Sequence, residues 1–168
     1  MEVVETYRIS HTTMALEAFN HIEYNTKIYD VEGIFYSRQT IHQLLEQACA
    51  LYCTDYRGRI NAVREAFKYD RKTPLVISPE EMLYAIPTHS PKNYNCKWIF
   101  PDHVKAKDYI PASKELHIYF HNGLKLEVDI SQKIFKTQIE RARNSLVYFA
   151  NLRKIQLIYE NRRKYKKE

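Results

Sequence analysis

Glycine occurs at only three of 168 positions, Gly33, Gly58 and Gly123, where ordinary usage of roughly 7% would give about a dozen. This scarcity removes whole classes of fold. A P-loop or a dinucleotide fingerprint needs two or three glycines within a few residues, because the backbone must turn tightly against a phosphate with no Cβ in the way. Here the nearest pair is 25 positions apart. Proline is as unevenly placed: Pro74, Pro79, Pro87, Pro91, Pro101 and Pro111 are all six. Over residues 73–113 helices are therefore not expected, and short strands joined by rigid turns are. From Ser131 onward neither residue occurs. With Ser131 as N-cap and Phe135, Ile139, Ala142, Leu146 and Phe149 on one stripe, the spacing predicts a long terminal helix.

Upstream, residues 12–19 and 26–36 carry β-branched and aromatic side chains without helical spacing and read as strands. Thr40 opens a capping box with Gln43, and Ile41, Leu44, Leu45, Ala48 and Leu51 recur at helical intervals. That helix runs out near Cys53. Gly58 breaks the pattern, and Ile60, Val63 and Phe67, with Ala62 and Ala66, restart a second short helix ending before Pro74.

Residues 116–130 alternate apolar and polar on either side of Asn122-Gly123, which marks a hairpin. A two-residue turn would pair Phe120 with Lys125 and set the two apolar rows on opposite faces. A three-residue loop, His121-Asn122-Gly123, instead pairs Phe120 with Leu124, Ile118 with Leu126 and Leu116 with Val128. It collects every apolar side chain on one face, with Gly123 in a left-handed bulge position. The longer loop is the expected one.

Hydrophobic residues make up 45% of the chain and charged residues 27%, ordinary globular composition for a chain long enough to bury roughly 70% of its unfolded surface. The fold class expected is α+β: an antiparallel sheet that could close into a barrel, packed with a helical pair at about 41–69 and the long C-terminal helix. Residues 1–168 read as a single domain, with 131–168 as terminal helix and basic tail. No apolar run approaches the roughly 18 residues that span a bilayer, and the opening Met1-Glu2-Val3-Val4-Glu5 lacks a basic segment followed by an apolar one. A cytoplasmic protein with no membrane partner and reduced thiols at Cys49, Cys53 and Cys96 is expected.

Charge is distributed unequally. Residues 1–48 carry a net −4, residues 49–72 a net +3, residues 73–140 balance, and residues 141–168 hold nine Lys/Arg against two Asp/Glu. Cations gathered on one surface raise its potential and suit a polyanionic partner; the alternative is a merely solvated tail ending Arg162-Arg163-Lys164-Tyr165-Lys166-Lys167. Tyr52, Tyr56, Arg57, Arg59 and Arg64 form the densest mixture of aromatic and basic residues. They suit a phosphate clamp, or a helix-turn-helix whose second helix reads the major groove.

Other chemistry is thinly supported. Cys49, Cys53, Cys96 and His103 can be drawn as a Cys3His zinc set but lack tight CxxC pairs, and Cys49 falls on an apolar helix face. No Ser-His-Asp or metal-ligand spacing repeats among the seven histidines, so neither catalysis nor a cofactor is expected. His117 and His121 on the polar side of the hairpin are explained by solvation, and Glu80-Glu81 and Asp102-His103 by caps and surface charge. An RNA-binding module with a basic, tyrosine-rich surface, or a nuclease, remain alternative classes.

Four blocks, ACALYCTDYRGR, IPTHSPKNYNCKWI, IYFHNGLKLEVDIS and TQIERA, resemble the bacterial competence transcription factor (ComK) family in content, order and spacing from about Tyr7 to Phe149. The matching positions are Cys49, Tyr56, Gly58 and Arg59, then Pro87, Thr88, Ser90, Cys96, Trp98 and Ile99, then Phe120, Asn122, Gly123 and Ser131, then Gln138 and Arg141. The resemblance implies a DNA-binding activator of genes for DNA uptake and recombination, acting on paired A/T-rich boxes through the minor groove as a homodimer or dimer of dimers. RNA polymerase and a Clp protease adaptor are the further partners it implies. Cys53 stands where the family usually has glycine, and the basic C-terminal run does not resemble the family's adaptor-binding stretch. The candidate DNA contacts are Arg57, Arg59, Arg64, Lys97, Arg141, Arg143, Arg153 and Lys154, with Arg59 and Arg141 foremost.

Overall fold

A computed structural model describes residues 1–166, apart from the side chains of Arg153 and Tyr165. The 26–36 stretch is two strands rather than one: β3 (Thr26–Asp30) and β4 (Gly33–Ser37) pair antiparallel through a turn in which Gly33 has φ +141°. Only glycine enters that region freely, so the chain reverses where a continuous strand was expected. β2 (Thr13–Ala18) pairs with β3 on one side and β7 (Trp98–Ile99) on the other. The proline-bounded segment supplies β5 (Leu75–Ser78) and β6 (Leu83–Pro87), as expected of short strands between turns.

With β1 (Glu2–Val3), these strands form a seven-stranded sheet of order β1-β4-β3-β2-β7-β6-β5. It does not close into a barrel, because β1 and β5 lie at opposite edges. The two-residue β1 offers too short a ladder to meet another edge, and the helix over Tyr56–Phe67 packs on β5. Nor is the sheet wholly antiparallel, since β1 runs parallel to β4.

Helix α1 (Ile41–Ala50) starts on the expected box: Thr40 Oγ1 accepts from Gln43 N at 3.1 Å and Gln43 Oε1 from Thr40 N at 2.9 Å. Gly58 does not break the second helix. It lies in the first turn of α2 (Tyr56–Phe67), donating its N–H to the N-cap carboxylate of Asp55 at 2.5 Å. A Cβ at Gly58 would stand 2.8 Å from Asp55 Oδ1, so the absent side chain leaves room for the cap.

The hairpin has the longer loop. β9 (Glu115–Phe120) and β10 (Lys125–Val128) align Ile118 with Leu126 and Leu116 with Val128, Phe120 N donates to Leu124 O at 2.9 Å, and Gly123 has φ +87°. His121 thus sits in the loop, not on a strand with His117. With β8 (Val104–Ile110), which follows a short 3-10 turn (Pro101–His103), they make a separate three-stranded sheet. Asn122 Nδ2 lies 3.2 Å from both Asp30 O and Val31 O, docking the hairpin tip on the β3–β4 turn.

Strands buried on both sides place the large sheet in the middle of three layers. Leu16, Ile28, Leu75, Ile77 and Ala85 pack with Leu44, Leu45, Ala48 and Ile60 of the helical pair. Their alternate neighbours Ala15, Tyr29, Val76, Tyr84 and Ile86 pack with Leu116, Ile118, Phe120 and Leu126 of the small sheet and with Phe135, Ala142 and Leu146. The last three belong to α3 (Gln132–Tyr165), capped by Ser131 Oγ. Only its first half is seated, and from Lys154 on every side chain described is exposed. Among the described residues no helix is long and apolar enough to cross a membrane.

Candidate nucleic-acid interface

The exposed face of α2 follows from its periodicity. With Ile60 and Val63 turned inward, Arg57, Asn61, Arg64 and Lys68 fall one turn apart on the flanking stripe, and all four are exposed. Lys68 ends the helix in a left-handed conformation (φ 59°), and the chain turns through Tyr69-Asp70-Arg71-Lys72 before Thr73. Arg64 Nε donates to Thr73 Oγ1 at 3.1 Å, and Thr73 Oγ1 donates in turn to Tyr69 O at 2.6 Å, so the helix end and the loop are one unit.

That loop lies against the first turns of α3. Gln138, a polar residue only 3% exposed, donates through Nε2 to Lys72 O at 2.8 Å and to Pro87 O at 3.0 Å. The amide thereby clamps the loop and the end of β6 to the helix. Beside it, Arg71, Lys72, Lys133, Thr137 and Arg141 line a shallow groove of about 530 Å³. The Arg141 guanidinium lies 4.9 Å from the centroid of the Tyr69 ring, a cation–π contact that fixes it without neutralising it. A basic strip therefore runs from α2 through the loop to α3. Among the described residues, Lys97 and Lys125 are the Lys/Arg side chains in ion pairs, so the strip keeps its charge for an external anion.

The structure brings together some of the residues singled out from sequence and separates others. Arg57, Arg64 and Arg141 belong to the strip. Arg59 points elsewhere, into a cleft with Tyr52, Cys53, Ser78, Glu80 and Phe149, where its Nε is buried with no hydrogen-bond partner. Lys97 is held by Glu17 Oε1 at 3.1 Å and by the carbonyl of Glu127. Arg143, two residues from Arg141, projects from another side of α3 beside the Tyr84–Asp102 hydrogen bond of 2.6 Å. Lys154 is exposed on the projecting half of α3, and the Arg153 side chain lies outside the described residues.

Sequence reasoning missed Lys68, Arg71, Lys72 and Lys133. A signal existed, because three of the four crowd the five positions 68–72, just before Thr73-Pro74. Lys133 could not be linked to them without knowing how α3 docks.

The cysteines do not build a metal centre. Cys49 and Cys96 are buried and Cys53 is exposed. Burial pushes the Cys49 thiol up to about 11, while Cys96 Sγ donates to His89 O at 3.3 Å. The grouping of potential metal ligands found among the described residues is a different one, Glu115, His117 and Glu127.

Comparison with known proteins agrees with the sequence blocks. The family described as ComK protein matches residues 4–155. The competence transcription factor of Bacillus subtilis (strain 168) is 27% identical over 142 residues, spanning 82% of this chain and 72% of that protein. No solved structure matches.

Proposed function

Because the chain belongs to the ComK protein family, we propose that it is a DNA-binding transcription factor of competence, an activator that reads paired A/T-rich boxes. The observation that carries this reading is the unpaired basic strip Arg57, Arg64, Lys68, Arg71, Lys72, Lys133 and Arg141, spread over three elements that Gln138 and Thr73 lock together. Such a surface suits a phosphate backbone, and its arginines suit the narrow minor groove of A-tracts, where the negative potential is enhanced. Minor-groove edges distinguish A·T from G·C pairs and little else, so paired sites and two copies of the chain supply the remaining specificity. The projecting half of α3 is the element offered for that pairing. It exposes Ile155, Leu157, Ile158 and Tyr159, and a helix of that length is marginal in water without a partner. A cytoplasmic location and contact with RNA polymerase follow from the same reading.

The test is a competition among an A/T-rich duplex, a G/C-rich duplex and a single-stranded RNA for a labelled A/T duplex, read by fluorescence anisotropy with and without magnesium. The A/T duplex is expected to compete best, with no cleavage, and its affinity to fall steeply with salt. Equal competition by the G/C duplex refutes A/T reading. Preference for the RNA makes the chain an RNA-binding module, and magnesium-dependent cleavage makes it a nuclease.

A further inference from the structure

On the small sheet, the side chains that alternate with the buried Leu116, Ile118 and Leu126 face away from α3. Glu115 and His117 are two apart on β9, so they share that outer face, and Glu127 stands directly opposite His117 on β10. His117 is half-buried, its side chain 14% exposed. Its Nε2 lies 3.6 Å from Glu115 Oε2 and 3.9 Å from Glu127 Oε1, and all three ligand atoms fall within 4.8 Å of one another.

These separations are too long for hydrogen bonds. Elsewhere in the same molecule an imidazole and a carboxylate that pair directly, His89 Nε2 and Asp129 Oδ1, close to 2.8 Å. Around His117, one nitrogen and two carboxylate oxygens instead surround a common gap. Bonds of about 2.0–2.2 Å to a tetrahedral zinc ion set ligand atoms roughly 3.3–3.6 Å apart. The His117–Glu115 pair already has that spacing, the His117–Glu127 pair needs a few tenths of an ångström, and the two carboxylate oxygens, within 4.8 Å of each other, close onto the ion by side-chain rotation. We propose that Glu115, His117 and Glu127 form a binding site for a divalent transition-metal ion of the zinc class, a three-ligand set on two adjacent strands with remaining positions left to water.

The surroundings fit such an ion. Asp108, on β8 opposite His117, adds a further carboxylate to the face. An imidazole with carboxylates suits zinc and its neighbours in the first transition series, whereas magnesium and calcium prefer oxygen ligands alone. The opposing groups are Lys97, whose Nζ is held by Glu17 and the carbonyl of Glu127, and Lys125, whose Nζ pairs with Glu127 Oε1 at 3.0 Å. The Lys125 side chain is 42% exposed and free to swing into water, so it competes with the ion without blocking it. The bound ion would join β9 to β10 and stabilise the sheet on which α3 rests, because a ligand that binds only the folded chain raises its melting temperature. This inference does not depend on DNA binding.

The experiment uses the full chain stripped with a chelator, titrated with zinc against a chromogenic chelator, with cobalt(II) absorption and thermal melting alongside. One equivalent is expected, with the melt shifted upward. His117→Ala and Glu127→Gln should each weaken binding at least tenfold, with circular dichroism checking that the variants fold. Should His117→Ala unfold the chain, Glu127→Gln carries the test. Cys53→Ser should bind as wild type, and Lys125→Met several-fold more tightly. The proposal is overturned if the chain takes up no zinc at tens of micromolar, or if His117→Ala and Glu127→Gln bind as wild type. It is equally overturned if Cys53→Ser abolishes binding or Lys125→Met weakens it.

Discussion

Replacing Gln138 with methionine separates what the fold needs from what the basic strip needs. The two side chains have nearly the same length and volume, so no large cavity is created. What disappears is the pair of hydrogen bonds to Lys72 O (2.8 Å) and Pro87 O (3.0 Å). Two missing bonds, with a buried carbonyl left unsatisfied, cost about 2–4 kcal/mol. At roughly 2–4 °C per kcal/mol for a chain of this size, the melting temperature should fall by about 10 °C. Binding should suffer separately, because Arg71 and Lys72 would sit on a loop no longer clamped to α3. Each phosphate that the protein ceases to neutralise flattens the log–log dependence of affinity on salt by about 0.9, so if Arg71 and Lys72 each neutralise one phosphate, as proposed, their release flattens it by about 1.8. Calorimetry and anisotropy titrations across a salt series at a temperature where the variant stays folded read the two effects. A melting temperature within about 2 °C of wild type would refute the clamp, and an unchanged salt slope in a destabilised variant would remove Arg71 and Lys72 from the interface.

Arg141→Ala should weaken an A/T duplex and flatten the salt slope by about 0.9, while Arg143→Ala, on another side of α3, should leave the slope as it is; equal effects would mean the strip is misplaced. Because Cys49 and Cys96 are buried with their thiols pushed up, one thiol, Cys53, should react rapidly with a disulfide reagent at pH 8, and all three once the chain is denatured. Burial pushes Tyr56 up to about 12. A hydroxyl that ionises later in the folded than in the unfolded chain contributes stability that is present below its ordinary value near 10 and lost as pH rises toward 12. Tyr56→Phe should therefore leave stability at pH 7 nearly unchanged and make its decline above pH 10 shallower, measured by urea unfolding; an identical decline would show that Tyr56 is not buried as described.

Much of this was legible from residue spacing. The capping box at Thr40 and Gln43, the loop at Asn122-Gly123 and the cap at Ser131 are local, decided by hydrogen bonds within a few residues, and each formed as its pattern required. The errors arose where a glycine served a purpose other than the usual one. Gly33 let a strand reverse inside an apparently continuous apolar stretch, and Gly58 lies within a helix because Asp55 needs the space where a Cβ would stand. Sheet closure was not legible at all, since it depends on which strands become edges, and the two-residue β1 leaves almost no trace in the sequence.

The candidate site shows a sharper limit. Adding charge along the chain pointed to residues 141–168 as the basic end, yet much of that charge lies on the half of α3 that leaves the body. The strip is assembled from segments 57–72 and 133–141, the second of which lies mostly inside a stretch, 73–140, whose charges balance overall. What distinguishes its cations is that the fold gathers them on one locked unit with none of them in an ion pair among the described residues. Lys97 and Lys125 look as basic in the sequence, but Glu17 and Glu127 already answer them. Arg59, the foremost candidate beside Arg141, is half-buried, its Nε in a cleft beside Glu80 with no hydrogen-bond partner, away from the strip. For a surface that must attract phosphate, the decisive quantity is the charge left over after folding, and only the pairing of strands and the docking of α3 determine it.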